Sequence, residues 1–215
     1  MTTEYYIIIF AILILCVMYH TATTDDITGI IPLSKYPEMN LLKNNYDIIL
    51  RELNHILTTG LWSNYDDLHK KDIFRNNNIE YVSKQLNEDV SKVDNKTNEP
   101  KWKIFGLIFN KHIKNDNQCP KTIELLKSIP CIINAGFSCL EAGKATDVHT
   151  DDNKNYYRYQ LPIIIPKGNT GFKVSDITID YKTNEPFIFD DSYPHQAWNY
   201  TNEIRVVLIC DIMHK

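Results

Sequence analysis

The 215-residue sequence nowhere concentrates positive charge: its net charge is −4, and no stripe of Lys and Arg runs along any segment. A nucleic-acid surface needs such a stripe to neutralise phosphates, so no nucleic-acid partner is expected. No two of the five cysteines (Cys16, Cys119, Cys131, Cys139, Cys210) stand in a CxxC pair. Cys16 lies in an apolar run. The other four read as buried or half-buried thiols, with up to two disulfides as the alternative. Internal repeats and low-complexity tracts are missing too, apart from a bias toward Asn, Ile and Lys. No Lys or Arg precedes Lys35, so the positive-inside rule has nothing to count at the N-terminus.

The composition itself is ordinary. With 43% hydrophobic and 23% charged residues the chain reads as globular, and its length suits one domain with a sizeable core. The N-terminus stands apart. "YYIIIFAILILCVMY", Tyr5 to Tyr19, is uncharged and bracketed by tyrosines. It is expected to be a membrane anchor over residues 1–20, making the protein single-pass with its side of the membrane open. A signal peptide ranks second, because "MTTE" offers Glu4 in place of a basic n-region, and a core helix ranks third. A linker is expected over residues 21–44, opening with the polar "TATTDDITG", and one folded domain over 45–215.

Within that domain "YDIILRELNHIL", Tyr46 to Leu57, repeats apolar residues at helical spacing. Residues 63–100 are rich in Asn, Asp and Lys and read as loops. "CPKTIELLKSIP", residues 119–130, reads as a helix opened by Pro120 and ended by Pro130. From Cys131 onward short β-type runs alternate with turns such as "PKGNTG" and "KTNEP". Strands are expected near Cys131–Leu140, Tyr156–Ile165, Gly171–Val174, Ile177–Tyr181, Pro186–Phe189 and Ile204–Ile212. The fold class is therefore mainly β, a sandwich or jelly roll preceded by helices.

"VHTDDNKNYYRYQLPIIIP", residues 148–166, sets ionisable side chains at the mouth of an apolar strand. On an extended segment His149 and Asp151 share a face. His195, expected in the turn "FDDSYPHQAW", supplies another imidazole. Two histidines and a carboxylate are the donor set of a facial-triad Fe(II) site, which leaves coordination positions for a co-substrate and O2. Zinc fits less well, since no fourth ligand or nearby glutamate completes a catalytic zinc site. Asp147 and Asp152 compete as carboxylates, and a solvated acidic loop would read similarly. Arg205 opens an otherwise apolar strand. It either pairs with Asp190 or Asp191 or forks onto a ligand carboxylate, for which Arg158 is a second candidate.

The ordered motifs "CPKTIELLKSIP", "FSCLEAGKATDVHTD", "RYQLPIIIPKG", "FIFDDSYPHQAWN" and "RVVLICDI" resemble the aspartyl/asparaginyl β-hydroxylase family of 2-oxoglutarate dioxygenases. The likeness covers roughly residues 100–215 and continues more weakly back to "LSKYPEMNLLKNNYDII". It implies a double-stranded β-helix (jelly-roll, cupin-like) core with flanking N-terminal helices. It further implies an Fe(II)-, 2-oxoglutarate- and O2-dependent hydroxylase. The substrate would be an Asp or Asn side chain of a polypeptide, or a lipid acyl chain, with the N-terminal segment holding the domain at a membrane. The alternative is a jelly-roll binding module without activity. By resemblance His149 and His195 are iron ligands, Arg205 is the 2-oxoglutarate carboxylate partner, and Ser138 and Arg158 make further co-substrate contacts. Asp190 and Asp191 read as structural. Two positions depart from the peptidyl enzymes: Asp151 stands where they carry glycine, and Gln160 where the family often has histidine, which leaves the third ligand and the co-substrate pocket in question.

Overall fold

A computed structural model describes residues 29–59, 62–64, 102–151 and 155–215. The expected anchor, most of the Asn-rich stretch, Cys16 and Asp152 lie outside the described residues. Among the described residues no helix is long and apolar enough to cross a membrane.

Strand β1 (Ile30–Ile31) is followed by two 3-10 turns and helices α1 (Asn40–Asn44) and α2 (Tyr46–Thr59). Next come β2 (Ser63–Asn64), β3 (Trp102–Phe109), β4 (His112–Ile113) and helix α3 (Pro120–Lys127). The C-terminal half is all strand: β5 (Ile132–Leu140), β6 (Lys144–Ala145), β7 (Tyr156–Ile164), β8 (Thr170–Val174), β9 (Ile177–Asp180), β10 (Phe187–Phe189), β11 (His195–Asn199) and β12 (Arg205–Met213). One antiparallel sheet runs β1-β10-β7-β12-β5-β3-β2, with β4 on β3; a second runs β6-β11-β8-β9. The chain is mainly β, a double-stranded β-helix with helices on one side.

Period-2 alternation on the central strands explains both the layers and the apolar texture of the sequence. On β12, Val206, Leu208, Cys210 and Ile212 join the larger core beneath the helices, while Val207 and Ile209 belong to the core between the sheets. On β7, Tyr159, Leu161 and Ile163 face the helix side. Both faces of the large sheet are thus covered, so its middle strands read as almost unbroken hydrophobic runs. Helix α2 contributes Ile49, Leu53 and Ile56 to that core, one stripe at helical spacing. Helix α3 has no side-chain cap of its own. The Glu52 carboxylate, from α2, accepts the backbone N–H groups of Lys121 (2.9 Å) and Thr122 (2.7 Å) instead.

Several expectations are corrected. Residues 29–44 are not linker: Tyr36, Met39 and Leu42 are fully buried in the main core, so this segment belongs to the domain. β3 was not expected, and Ser63–Asn64 pairs with it rather than looping. His195 opens a strand rather than sitting in a turn. The cysteine expectation holds: Cys119, Cys131, Cys139 and Cys210 are all buried free thiols. Asn199 is fully buried, and its amide donates to the Leu140, Glu141 and Glu203 carbonyls.

Candidate active site

The segment after β6 continues antiparallel alongside β11. Ala145 lies opposite Trp198 and His149 opposite His195, so three residues on one side span two on the other. That extra residue is a bulge-type irregularity, and it leaves Val148 65% exposed. His149 and His195 exchange both backbone hydrogen bonds (3.1 and 2.9 Å), which places their side chains together with ring centroids 4.2 Å apart.

Each ring is oriented in the same way. His149 Nδ1 donates to the Asp147 carbonyl (2.7 Å) and His195 Nδ1 to the Tyr193 carbonyl (2.9 Å). A carbonyl oxygen only accepts, so Nδ1 carries the proton and Nε2 keeps the lone pair. Burial, reinforced by the neighbouring His149, pushes the His195 imidazole down to about 3, so it stays neutral at physiological pH. Two imidazoles held by their Nδ1 atoms, with both Nε2 atoms free of that bond, are a metal-ready pair of donors. Among the described residues, no group of three or more His, Cys, Asp or Glu side chains comes together as a metal site.

The Asp151 carboxylate faces Arg158 instead. Its backbone N–H donates to the Asp191 carbonyl (2.8 Å), and its side chain lies 3.2 Å from Arg158 Nη1. Arg158 also faces Asp191 through Nη2 (3.2 Å) and Asp211 through Nε (3.0 Å). This cluster grows from strand register: Arg158 on β7 is directly opposite Asp211 on β12, which is opposite Asn134 on β5. Asn134 Nδ2 donates to Asp211 (2.8 Å), closing a polar row across three strands. One guanidinium against three carboxylates leaves an excess of negative charge. Burial, partly opposed by Arg158 and reinforced by Asp211 and Asp151, raises the fully buried Asp191 carboxyl to about 7.

Arg205 is in the opposite condition. It is 2% exposed, makes no ion pair with a described residue, and its buried Nε finds no hydrogen-bond partner there. The expected pair with Asp190 or Asp191 is not formed: Asp191 faces Arg158, and Asp190 accepts the Ser192 N–H (2.9 Å). Arg205 Nη2 donates to the Tyr181 hydroxyl, and its guanidinium carbon lies 4.7 Å from the Tyr181 ring centre. Tyr181 in turn donates to Gln160 Oε1 (2.8 Å). Ser138 accepts from Trp102 Nε1 (2.8 Å), and the Trp102 ring lies 5.9 Å from that of His149.

A single pocket between the sheets collects His149, His195, Arg158, Arg205, Ser138 and Gln160 in its walls. The expected site residues converge there, with Asp151 joined to it through Arg158. Tyr181, Asp211 and Trp102 were missed. Asp211 left a signal, a charge inside the apolar run "RVVLICDI" that demands a partner. Tyr181 and Trp102 left none, since aromatic residues at strand ends usually just pack.

Residues 43–215 match the model of the family described as Aspartyl/Asparaginyl beta-hydroxylase. The ornithine lipid ester-linked acyl 2-hydroxylase of Rhizobium tropici is 33% identical over 132 residues, covering 60% of this chain and 46% of that protein. The aspartyl/asparaginyl beta-hydroxylase of Homo sapiens is 27% identical over 121 residues, covering 53% of this chain and 16% of that protein. The chain therefore spans less than half of the first relative and about one sixth of the second. Among solved structures, a 2OG-Fe(II) oxygenase family oxidoreductase from Burkholderia pseudomallei aligns with TM-score 0.42 at 8% identity, covering 52% of this chain and 67% of that one. With its matched region holding α2, α3, every strand except β1 and every pocket residue, the chain belongs to the aspartyl/asparaginyl β-hydroxylase family.

Proposed function

We propose that this protein is an Fe(II)- and 2-oxoglutarate-dependent hydroxylase acting on an Asp or Asn side chain of a polypeptide or on a lipid acyl chain. The observation that carries the reading is Arg205, a buried guanidinium without a carboxylate partner among the described residues, in the same pocket as a paired His149 and His195. Such a cation is costly to bury unless an anion arrives to complete it.

In this reading His149 and His195 hold the metal through Nε2, and Asp151 adds a carboxylate once released from Arg158. Arg205 binds the distal carboxylate of 2-oxoglutarate, with Ser138 and Gln160 lining its path. Arg158, whose three nitrogens already face protein carboxylates, suits holding that cluster in place better than taking a ligand. The metal, 2-oxoglutarate and O2 together would supply oxidation of an unactivated C–H bond, releasing succinate and CO2. The protein's own work is to orient donors, fix tautomers and keep the pocket enclosed between two sheets.

The relatives support both substrate classes, and the apolar N-terminal run would serve as the element that brings the domain to a bilayer. The test is anaerobic titration of the Fe(II)-loaded protein with 2-oxoglutarate, followed by succinate measurement in air with lipid and peptide substrates in parallel. A weak visible charge-transfer band and 2-oxoglutarate-dependent succinate are expected. Loaded protein giving neither refutes the reading.

A further inference from the structure

The hydroxyl of Tyr181 receives a hydrogen bond from Arg205 Nη2 and gives one to Gln160 Oε1 at 2.8 Å. Proton inventory fixes the direction of this chain. An arginine can only donate, so the phenol oxygen accepts from it, and the single phenolic proton is left for Gln160. Burial, only partly opposed by Arg205, raises the Tyr181 pKa, so the phenol keeps that proton at neutral pH. With Oε1 taken, the amide NH2 is what Gln160 has left to offer the pocket whose wall it forms. The reverse amide orientation would put an NH2 against the phenol and leave the buried phenolic proton without an acceptor there.

Tyr181 is itself held. It is 7% exposed, its ring packs against Phe172 (6.4 Å) and Phe187 (5.9 Å), and the Arg205 guanidinium lies over its face. It forms no part of the pocket wall, yet one oxygen ties together two side chains that do.

We propose that Tyr181 is the positioning residue that makes the Arg205 end of the pocket selective for a carboxylate, by turning both Arg205 and Gln160 to present N–H donors. This rests on the co-substrate reading above and deepens it. The ligand class it implies is a 2-oxo acid with a second, distal carboxylate. A 2-oxo acid ending in a methyl group would leave the same donors unsatisfied.

The experiment is calorimetric titration of the full chain loaded with Mn(II), which avoids turnover, using 2-oxoglutarate and 2-oxopentanoate as probes. The two differ in the distal carboxylate. Wild type is expected to prefer 2-oxoglutarate. Tyr181→Phe keeps the ring beneath Arg205 and removes the hydroxyl. It is expected to weaken 2-oxoglutarate about tenfold while 2-oxopentanoate changes by less than about twofold. Gln160→Glu keeps an acceptor for Tyr181 but turns a carboxylate to the pocket, and is expected to reduce the preference for 2-oxoglutarate further, a check that holds if Tyr181→Phe folds poorly. Equal weakening of both ligands in these variants, or an unchanged preference, overturns the proposal. A wild type without preference for 2-oxoglutarate fails before any substitution, and overturns the co-substrate reading of Arg205 itself.

Discussion

Replacing Arg158 by Met tests whether the carboxylate cluster is built around that one cation. Met keeps the unbranched apolar stem of the side chain and removes the charged head. The Arg158 side chain is 10% exposed, and its partners Asp151, Asp191 and Asp211 are 20%, 0% and 11% exposed, so solvent screens these pairs little. At 3.0 to 3.2 Å each pair is worth about 5 kcal/mol of attraction at an effective dielectric near 20, most of it cancelled by desolvation. The pairs share one guanidinium and do not add. Removing one partner of a buried pair typically costs about 3–5 kcal/mol, a large share of a domain's stability of about 5–15 kcal/mol. The loss depends on pH with a definite sign. Burial already holds the Asp191 carboxyl up at about 7, and Arg158 is what pulls it back toward ionisation. Without Arg158 that pKa rises further above its unfolded value. Protonated, the carboxyl tolerates burial, so its share of stability is kept at low pH and lost as pH climbs through the folded pKa. Urea denaturation followed by tryptophan fluorescence should therefore show a smaller deficit near pH 4.5 and a larger one at pH 8. A deficit below about 1 kcal/mol at pH 8, or one equal at both pH values, would refute the clustered-charge account.

Three further outcomes are expected. His195→Ala should remove most Mn(II) binding, measured by electron paramagnetic resonance, with His149→Ala behaving alike because each ring is one half of the same donor pair. Gly171→Ala should destabilise by about 1–3 kcal/mol in thermal or urea unfolding, since a Cβ there would overlap the Trp198 indole, whose Nε1 is held by Asn169 at 2.8 Å. Cys119, Cys131 and Cys139 should react far more slowly with a disulfide reagent at pH 8 in the native protein than in urea, because burial pushes Cys119 and Cys139 up to about 12 and Cys131 up to about 11.

The strands β5, β7, β10 and β12 were legible because both faces of the large sheet are covered. Their residues are apolar in succession, and turns punctuate them cleanly. β3, "WKIFGLIF", has the same texture, but it follows a polar stretch that drew the surrounding region into a loop reading. β11 hid for a different reason. Its pattern is half-buried, with His195, Ala197 and Asn199 inward and Gln196 and Trp198 partly exposed, so five residues of mixed polarity resemble a turn. Residues 29–44 were read as linker on the polarity of their first few residues, although Tyr36, Met39 and Leu42 carry the core contact. In the site, the two histidines could be guessed from type and spacing. Their meeting could not, because it depends on a one-residue irregularity between Ala145 and His149 that composition does not encode.

The two arginines show what register adds to residue type. Arg158 and Arg205 each occur near the start of an apolar strand, and as letters in a sequence they are equivalent candidates for a ligand carboxylate. Arg158 lies opposite Asp211 across the β7–β12 ladder, so the sheet itself delivers a carboxylate to its Nε, and the loops carrying Asp151 and Asp191 bring two more. Arg205 lies opposite Leu140 on β5, an apolar neighbour that satisfies none of its donors. Its nearest polar partner is a phenol that takes one N–H and remains neutral. Burial is nearly complete for both, at 8% and 2% exposure, so the difference is one of charge balance and not of solvent. A buried cation with its counter-charges built in suits a structural element; a buried cation whose described neighbours carry none suits the proposed role of receiving an anion from outside. The ionisable side chains of "VHTDDNKNYYRYQL" are explained on the same terms. Asp151 and Arg158 stand at the mouth of a buried strand because each neutralises the other, and any metal held by His149 and His195 would have to compete with Arg158 for that carboxylate.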